Sequence, residues 1–252
     1  MINLLGIQLD SKINDKMANF QEIARILAQN EAFCPDFVLL PECFNAGYVP
    51  SCFQENAEFL GAGETSMFLS GMAERYNTYI AGSFIQKTPD NFKNTFVIFD
   101  RKGQIVAKYS KIHLFDHLDN FESNFVTAGD EIVTVKLDFG NVGLSICYDL
   151  RFPELYKKMA ENNVFLFLNS ACWGRARHLA WQALGQARAI ENQAFFFAVN
   201  SKGYSYVANP DGQLINAIVG NDVIKAQVDF DEVCNLKNSM NILNDKRQDI
   251  YG

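Results

Sequence analysis

An α/β fold, with two sheets packed face to face and helices covering them outside, is predicted by three features of this 252-residue chain. Strand-like and helix-like runs alternate from residue 2 onward. Several strand runs, residues 37–40 among them, are continuously apolar, as strands buried on both faces are. Two stretches, residues 78–109 and 204–228, have antiparallel patterning instead, with turn residues between short strands.

The elements follow in order. A first strand covers residues 2–9, and the helix after it carries Met17, Phe20, Ile23, Ala24 and Leu27 on one face. Residues 37–40 make the second strand. A second helix opens at Thr65, whose hydroxyl suits an N-cap, and buries Phe68, Leu69, Met72 and Tyr76. Strands over 78–85 and 94–99 come next, and Arg101-Lys102-Gly103 turns the chain into a strand over 104–109. Between Leu114 and Asp130 polar residues interrupt the aromatic ones without a period, which marks a functional loop. Strands over 132–137 and 142–146, a helix over 153–161 opened by Pro153, a strand over 164–168, a long helix from about Arg175 to Asn192 and a strand over 195–199 continue the alternation. Strands over 204–208, 214–219 and 223–228, with the turn Asn209-Pro210-Asp211-Gly212, predict an antiparallel meander. Residues 1–252 are expected to form one domain, with 231–252 a tail that wraps it or a neighbour.

An apolar content of 48% supports a sizeable core. The net charge of −7, without a lysine–arginine run, gives no electrostatic footprint for nucleic acid or an anionic membrane surface. No apolar run approaches the roughly 18 residues of a membrane span, and the amino terminus lacks the basic region of a secretory signal. Six cysteines are too few for a disulfide scaffold of this size and suit a reducing compartment, so a cytoplasmic protein is expected. Cys34, Cys43 and Cys52 fall on different elements without a His partner motif, and no metal site is expected.

Three strand ends carry chemistry. Cys147 closes the apolar run from Asn141 where a helix should follow, so its thiol is presented at a bend. Glu42 closes Leu39-Leu40-Pro41-Glu42, and Lys111 follows Tyr109-Ser110. Together they supply a nucleophile, a base and a cation. A lone strand cysteine is more often core, a strand-end lysine more often solvated, and a glutamate after proline more often a loop carboxylate. A cysteine–histidine hydrolase would use His113, His117 or His178 instead and leave the Glu–Lys pair idle.

In the order Glu42, Lys111, Cys147, with the flanks Tyr109-Ser-Lys-Ile-His-Leu-Phe-Asp116, Cys147-Tyr-Asp-Leu-Arg-Phe-Pro153, Arg188-Ala-Ile-Glu-Asn-Gln193 and the tail Asp245-Lys-Arg-Gln-Asp-Ile-Tyr251, the chain resembles the nitrilase superfamily of carbon–nitrogen hydrolases. The resemblance spans nearly the whole chain. It implies a four-layer α-β-β-α sandwich and a cofactor-independent hydrolase acting through a Cys147 thioester, with Glu42 as general base and Lys111 stabilising thiolate and oxyanion beside the Tyr148 N–H. It implies a second glutamate, Glu122, holding Lys111. Cys172-Trp173 and Arg175-Ala-Arg177-His178 fall where the family places substrate-lining residues. Trp173 and Tyr148 would wall a small pocket, and Arg175 or Arg177 would bind a substrate carboxylate. Asp149, Arg151 and Glu154 are expected to form an ion-pair brace behind the nucleophile.

Cys147-Tyr-Asp-Leu-Arg resembles the amidase branch, and the chain looks omega-amidase-like, with a small amide or carbamoyl compound as its substrate and ammonia or an amine released. A true nitrilase, or an inactive member used as a binding module, is the alternative. Family members commonly pair, so a homodimer or higher homo-oligomer is expected, with residues 153–159 and the long helix as candidate faces.

Overall fold

A computed structural model describes residues 1–118, 120–220 and 223–251; residues 119, 221, 222 and 252 lie outside the described residues. The amino-terminal half runs β1 (Ile2–Ile7), α1 (Lys16–Gln29), β2 (Phe37–Leu39), α2 (Phe53–Asn56), β3 (Glu58–Phe59), α3 (Glu64–Tyr76), β4 (Tyr79–Lys87), β5 (Phe92–Phe99), β6 (Ile105–Ser110), β7 (Asp116–His117) and β8 (Asn120–Phe121). The carboxyl half runs β9 (Thr134–Leu137), β10 (Gly140–Ile146), α4 (Pro153–Ala160), β11 (Leu166–Ala171), α5 (His178–Asn192), β12 (Phe195–Asn200), β13 (Ser205–Ala208), β14 (Leu214–Ile218), β15 (Val223–Val228), α6 (Phe230–Ser239) and α7 (Gln248–Tyr251).

Among the described residues these strands make two large sheets. One has the order β15-β1-β2-β4-β5-β6, with β3 beside β4, and the other the order β14-β13-β12-β11-β10-β9. Both are parallel at the centre and antiparallel at the rims: β1, β2 and β4 run together, as do β10, β11 and β12. Period-two alternation divides the first sheet's side chains between two layers. Leu5, Val38 and Ile80 face Phe20, Ile23, Leu27 and Leu69 of α1 and α3. Leu4, Leu39 and Ala81 face the second sheet, whose far side is covered by Leu155, Tyr156, Trp181 and Ala189 of α4 and α5. The result is the expected α-β-β-α sandwich. At Gly6 the two sheets approach closely, because a Cβ there would collide with Val199 of the second sheet.

Three expectations need correction, and the tail takes a definite form. Met17 is exposed, and the buried stripe of α1 is Asn19, Phe20, Ile23 and Leu27. Thr65 is not an N-cap: Gly63 holds that position, and the Thr65 N–H and hydroxyl both donate to buried Glu58. The meander breaks after β14. Instead of extending the second sheet, β15 crosses over and pairs antiparallel with β1, Ile2 opposite Val228. The tail begins as helix α6, which folds back on its own chain through the Phe230–Phe165 contact, buried Val233 and the Gln193–Met240 hydrogen bond.

Candidate active site

Glu42, Lys111 and Cys147 come together at the carboxyl ends of three strands, two in the parallel centres of the sheets and one, β6, at an antiparallel rim. Glu42 follows β2, Lys111 follows β6, and Cys147 follows β10. The two sheets are stitched together there, since Glu42 N donates to Ala171 O and the Ser170 hydroxyl to Leu40 O.

Cys147 sits at φ 44° in a turn of 3-10 helix, Cys147–Arg151. This left-handed conformation is strained for a side-chain-bearing residue and persists only when the surroundings over-determine it. They do so in two ways. Buried Asp149 accepts hydrogen bonds from Ile146 N, the Tyr109 hydroxyl and both the backbone and ring nitrogens of His113. Buried Arg188 donates twice to Leu150 O. The brace behind Cys147 is therefore a hydrogen-bond network, and the expected Asp149–Arg151–Glu154 ion pairs do not form because the Asp149 oxygens already have four donors. Arg151 lies instead over the Trp173 ring, 4.7 Å from its centroid.

Lys111 Nζ donates to Glu42 Oε1 at 2.8 Å and to Glu122 Oε2 at 2.7 Å, with all three side chains shut off from solvent. Glu42 also accepts from Asn94 Nδ2 at 2.9 Å and from Cys172 N at 2.9 Å. Glu122 accepts from Phe115 N at 2.6 Å, which ties it to the loop before β7. Burial works against the charge of Lys111, but the two carboxylates hold its ammonium well above the usual lysine range. Burial raises Glu122, and Lys111 opposes that rise.

Burial, then the charge of Glu42, pushes the Cys147 thiol well above its ordinary range, and Lys111 pulls the other way without prevailing. Lys111 is already shared between two carboxylates, and a thiol raised in this way needs a base to take its proton during attack. Neighbouring Cys172 is raised to about 11, mainly by burial.

The thiol opens on a cavity of about 250 Å³. Its walls include Tyr148 and Trp173, as expected, together with Tyr48, Arg151, Arg177 and Lys202. Arg175 does not reach it: it is exposed, and its Nε donates to Lys202 O. The three cationic side chains on the wall give the cavity a bias toward anionic ligands. Tyr48 packs beneath the Lys111 ammonium, and its buried hydroxyl has no partner. None of the histidines pairs with Cys147. His113 bonds Asp149, His117 meets the Tyr148 hydroxyl, and His178 stacks on Tyr204. No group of three or more His, Cys, Asp or Glu side chains suited to a metal occurs among the described residues.

Sequence reasoning missed Asn94, Tyr48 and Lys202 and misassigned Arg151. Asn94 sits among Lys93 and Thr95 at the polar start of β5, and none of the three missed residues left a signal in the sequence.

The model of the family described as carbon-nitrogen hydrolase matches residues 6–238. A 2-oxoglutaramate amidase of Paenarthrobacter nicotinovorans is 34% identical over 259 residues, covering 95% of this chain and 86% of that protein. Omega-amidase NIT3 of Saccharomyces cerevisiae is 29% identical over 275 residues, covering 99% and 94%. The crystal structure of Saccharomyces cerevisiae Nit3, a member of branch 10 of the nitrilase superfamily, superposes with a TM-score of 0.85 at 28% identity, covering 95% of this chain and 94% of that one.

Proposed function

Because this chain belongs to the carbon–nitrogen hydrolase family, as an amidase-type member of the nitrilase superfamily, we propose that it hydrolyses the terminal amide of a short dicarboxylic acid monoamide through a Cys147 thioester. Succinamate and 2-oxoglutaramate are the type. The relatives named for amide cleavage favour an amide over a nitrile.

The observation that carries the reading is the buried Glu42–Lys111–Glu122 cluster together with the Cys147 thiol on the wall of a cavity that Arg151 and Arg177 also line. Glu42 takes the proton of Cys147 as sulfur attacks the amide carbon. An ammonium has three N–H donors, and two are engaged by carboxylates; the third is left for the oxyanion, with Tyr148 N–H beside it. Glu42 then passes its proton to the nitrogen and ammonia leaves. A water activated by Glu42 attacks the thioester, releasing the diacid and restoring the thiol.

Glu122 holds Lys111 in place. Trp173 and Tyr148 bound the acyl chain, and the far carboxylate is bound by Arg177 and Arg151, which replaces Arg175 in this role. We place the enzyme in the cytoplasm, consistent with its six free cysteines. A homodimer pairs through α5, where Leu179 and Ile190 are 73% and 49% exposed; the apolar side chains of α4 are buried within the chain and leave no free face.

The test is ammonia release from succinamate and 2-oxoglutaramate by wild type and Cys147→Ala. The variant should be inactive. Turnover retained in it points to another nucleophile.

A further inference from the structure

The Glu42 carboxylate offers about four lone-pair positions. Three are taken: Oε1 accepts from Lys111 Nζ and Asn94 Nδ2, and Oε2 accepts from Cys172 N. The open position is on Oε2. Oε2 is held by the N–H of Cys172, which lines the same cavity as Cys147, so it is the oxygen on the thiol's side.

Asn94 is 1% exposed on β5 and does not line the cavity. Its Nδ2 lies 2.9 Å from Glu42 Oε1 and 3.4 Å from Glu122 Oε1, while Oδ1 has no partner. A buried amide oxygen left unsatisfied is costly, and the orientation survives because the reversed amide would set that oxygen against two carboxylates. One neutral donor therefore spans both acids. An amide orients the two carboxylates without adding charge to a cluster that Lys111 already pairs.

We propose that Asn94 is a positioning residue for the reaction: it fixes Oε1 of Glu42 and braces Glu42 against Glu122, leaving Oε2 as the atom that takes the thiol proton. This rests on the assignment of Cys147 as nucleophile and Glu42 as base. Removing the amide donor takes hydrogen-bond support from the ionised carboxylates, so the acid limb of activity moves to higher pH.

The experiment is the pH profile of kcat/KM on succinamate for wild type, Asn94→Leu, Asn94→Ser and Asn94→Asp, with Cys147→Ala as control. Asn94→Leu should shift the acid limb up by about one pH unit, the size expected for one hydrogen bond to a charged group. Asn94→Ser, which keeps a donor and disturbs packing less, should shift it by a smaller amount. Asn94→Asp adds like charge at constant shape and should shift it most. KM should stay within about twofold, because Asn94 lies off the cavity wall, while the loss of kcat in Asn94→Leu grows toward about tenfold as pH falls below the limb. Loss of rate that is uniform across pH in the folded variants, with the limb unmoved, overturns the proposal. Should Cys147→Ala retain activity, the nucleophile assignment falls first; with Cys147→Ala inactive and the limb unmoved, only the role of Asn94 falls.

Discussion

Replacing Lys111 by Met should convert the buried cluster from a pH-tolerant element into an acid-dependent one. The ammonium lies 2.8 Å from Glu42 and 2.7 Å from Glu122, and none of the three is exposed. At an effective dielectric of about 20, each contact contributes about 6 kcal/mol of attraction, offset by a desolvation penalty of several kcal/mol per ion. Removing one partner of such a cluster leaves uncompensated buried charge and costs about 3–5 kcal/mol. Met has nearly the length of the lysine stem, so little of that loss is packing. The sign with pH follows from the carboxylates. Without the cation their folded-state pKa rises above the unfolded value of about 4.3, so the variant's stability is fully present below that pH and is lost as pH rises through the raised value. Glu122 already leans in this direction through burial. Urea unfolding of wild type and Lys111→Met at pH 5 and pH 8 should give a gap of about 1–2 kcal/mol at the lower pH and about 3–5 kcal/mol at the higher. An equal gap at both pH values would show that the carboxylates do not depend on Lys111 for their charge, and the electrostatic account of the site would be wrong.

Two further outcomes can be checked on the same protein. Arg177→Ala and Arg151→Ala should each lower kcat/KM for succinamate by about 2–4 kcal/mol while neutral aliphatic amides change little, and Arg175→Ala should match wild type on both; a loss confined to Arg175→Ala would relocate the carboxylate site. Gly185→Ala sets a methyl against the Tyr206 hydroxyl, which donates to Trp181 O, and should lower stability by about 1–3 kcal/mol in urea unfolding. An unchanged midpoint would mean that Tyr206 moves aside freely.

The alternation of strands and helices was legible because buried parallel strands are continuous apolar runs, and Glu42 and Cys147 stood out because each follows one; Lys111 follows β6, a half-exposed antiparallel edge strand, and stood out only through its flanking residues. The partner of β15 was not. Its buried Ile224, Ala226 and Val228 alternate with exposed Lys225 and Gln227, a pattern that fits the edge of either sheet. What selects β1 is contact with the first sheet's interior, which local sequence does not record. The N-cap at Thr65 failed for a similar reason, since Glu58 reaches it from outside the helix. Arg175 and Arg177 are equivalent in sequence, and only the 3-10 turn Arg175–Arg177 turns one toward the cavity and the other toward the Lys202 carbonyl. Arg151 was misassigned because Asp149 looked unpartnered; Tyr109 and His113, more than 30 residues upstream, supply its donors.

The crossing of β15 to β1 sets an order on biosynthesis. One of the two hydrogen-bonding edges of β1 stays open during synthesis until Val223–Val228 emerges, some 220 positions later. At about 5–20 residues per second, that is a delay on the order of ten seconds or more. Through that interval an apolar strand with a bare edge is exposed to neighbouring nascent chains. The first sheet is complete only once Val223–Val228 has emerged, so synthesis rate and chaperone supply, more than final stability, should govern the yield of this protein.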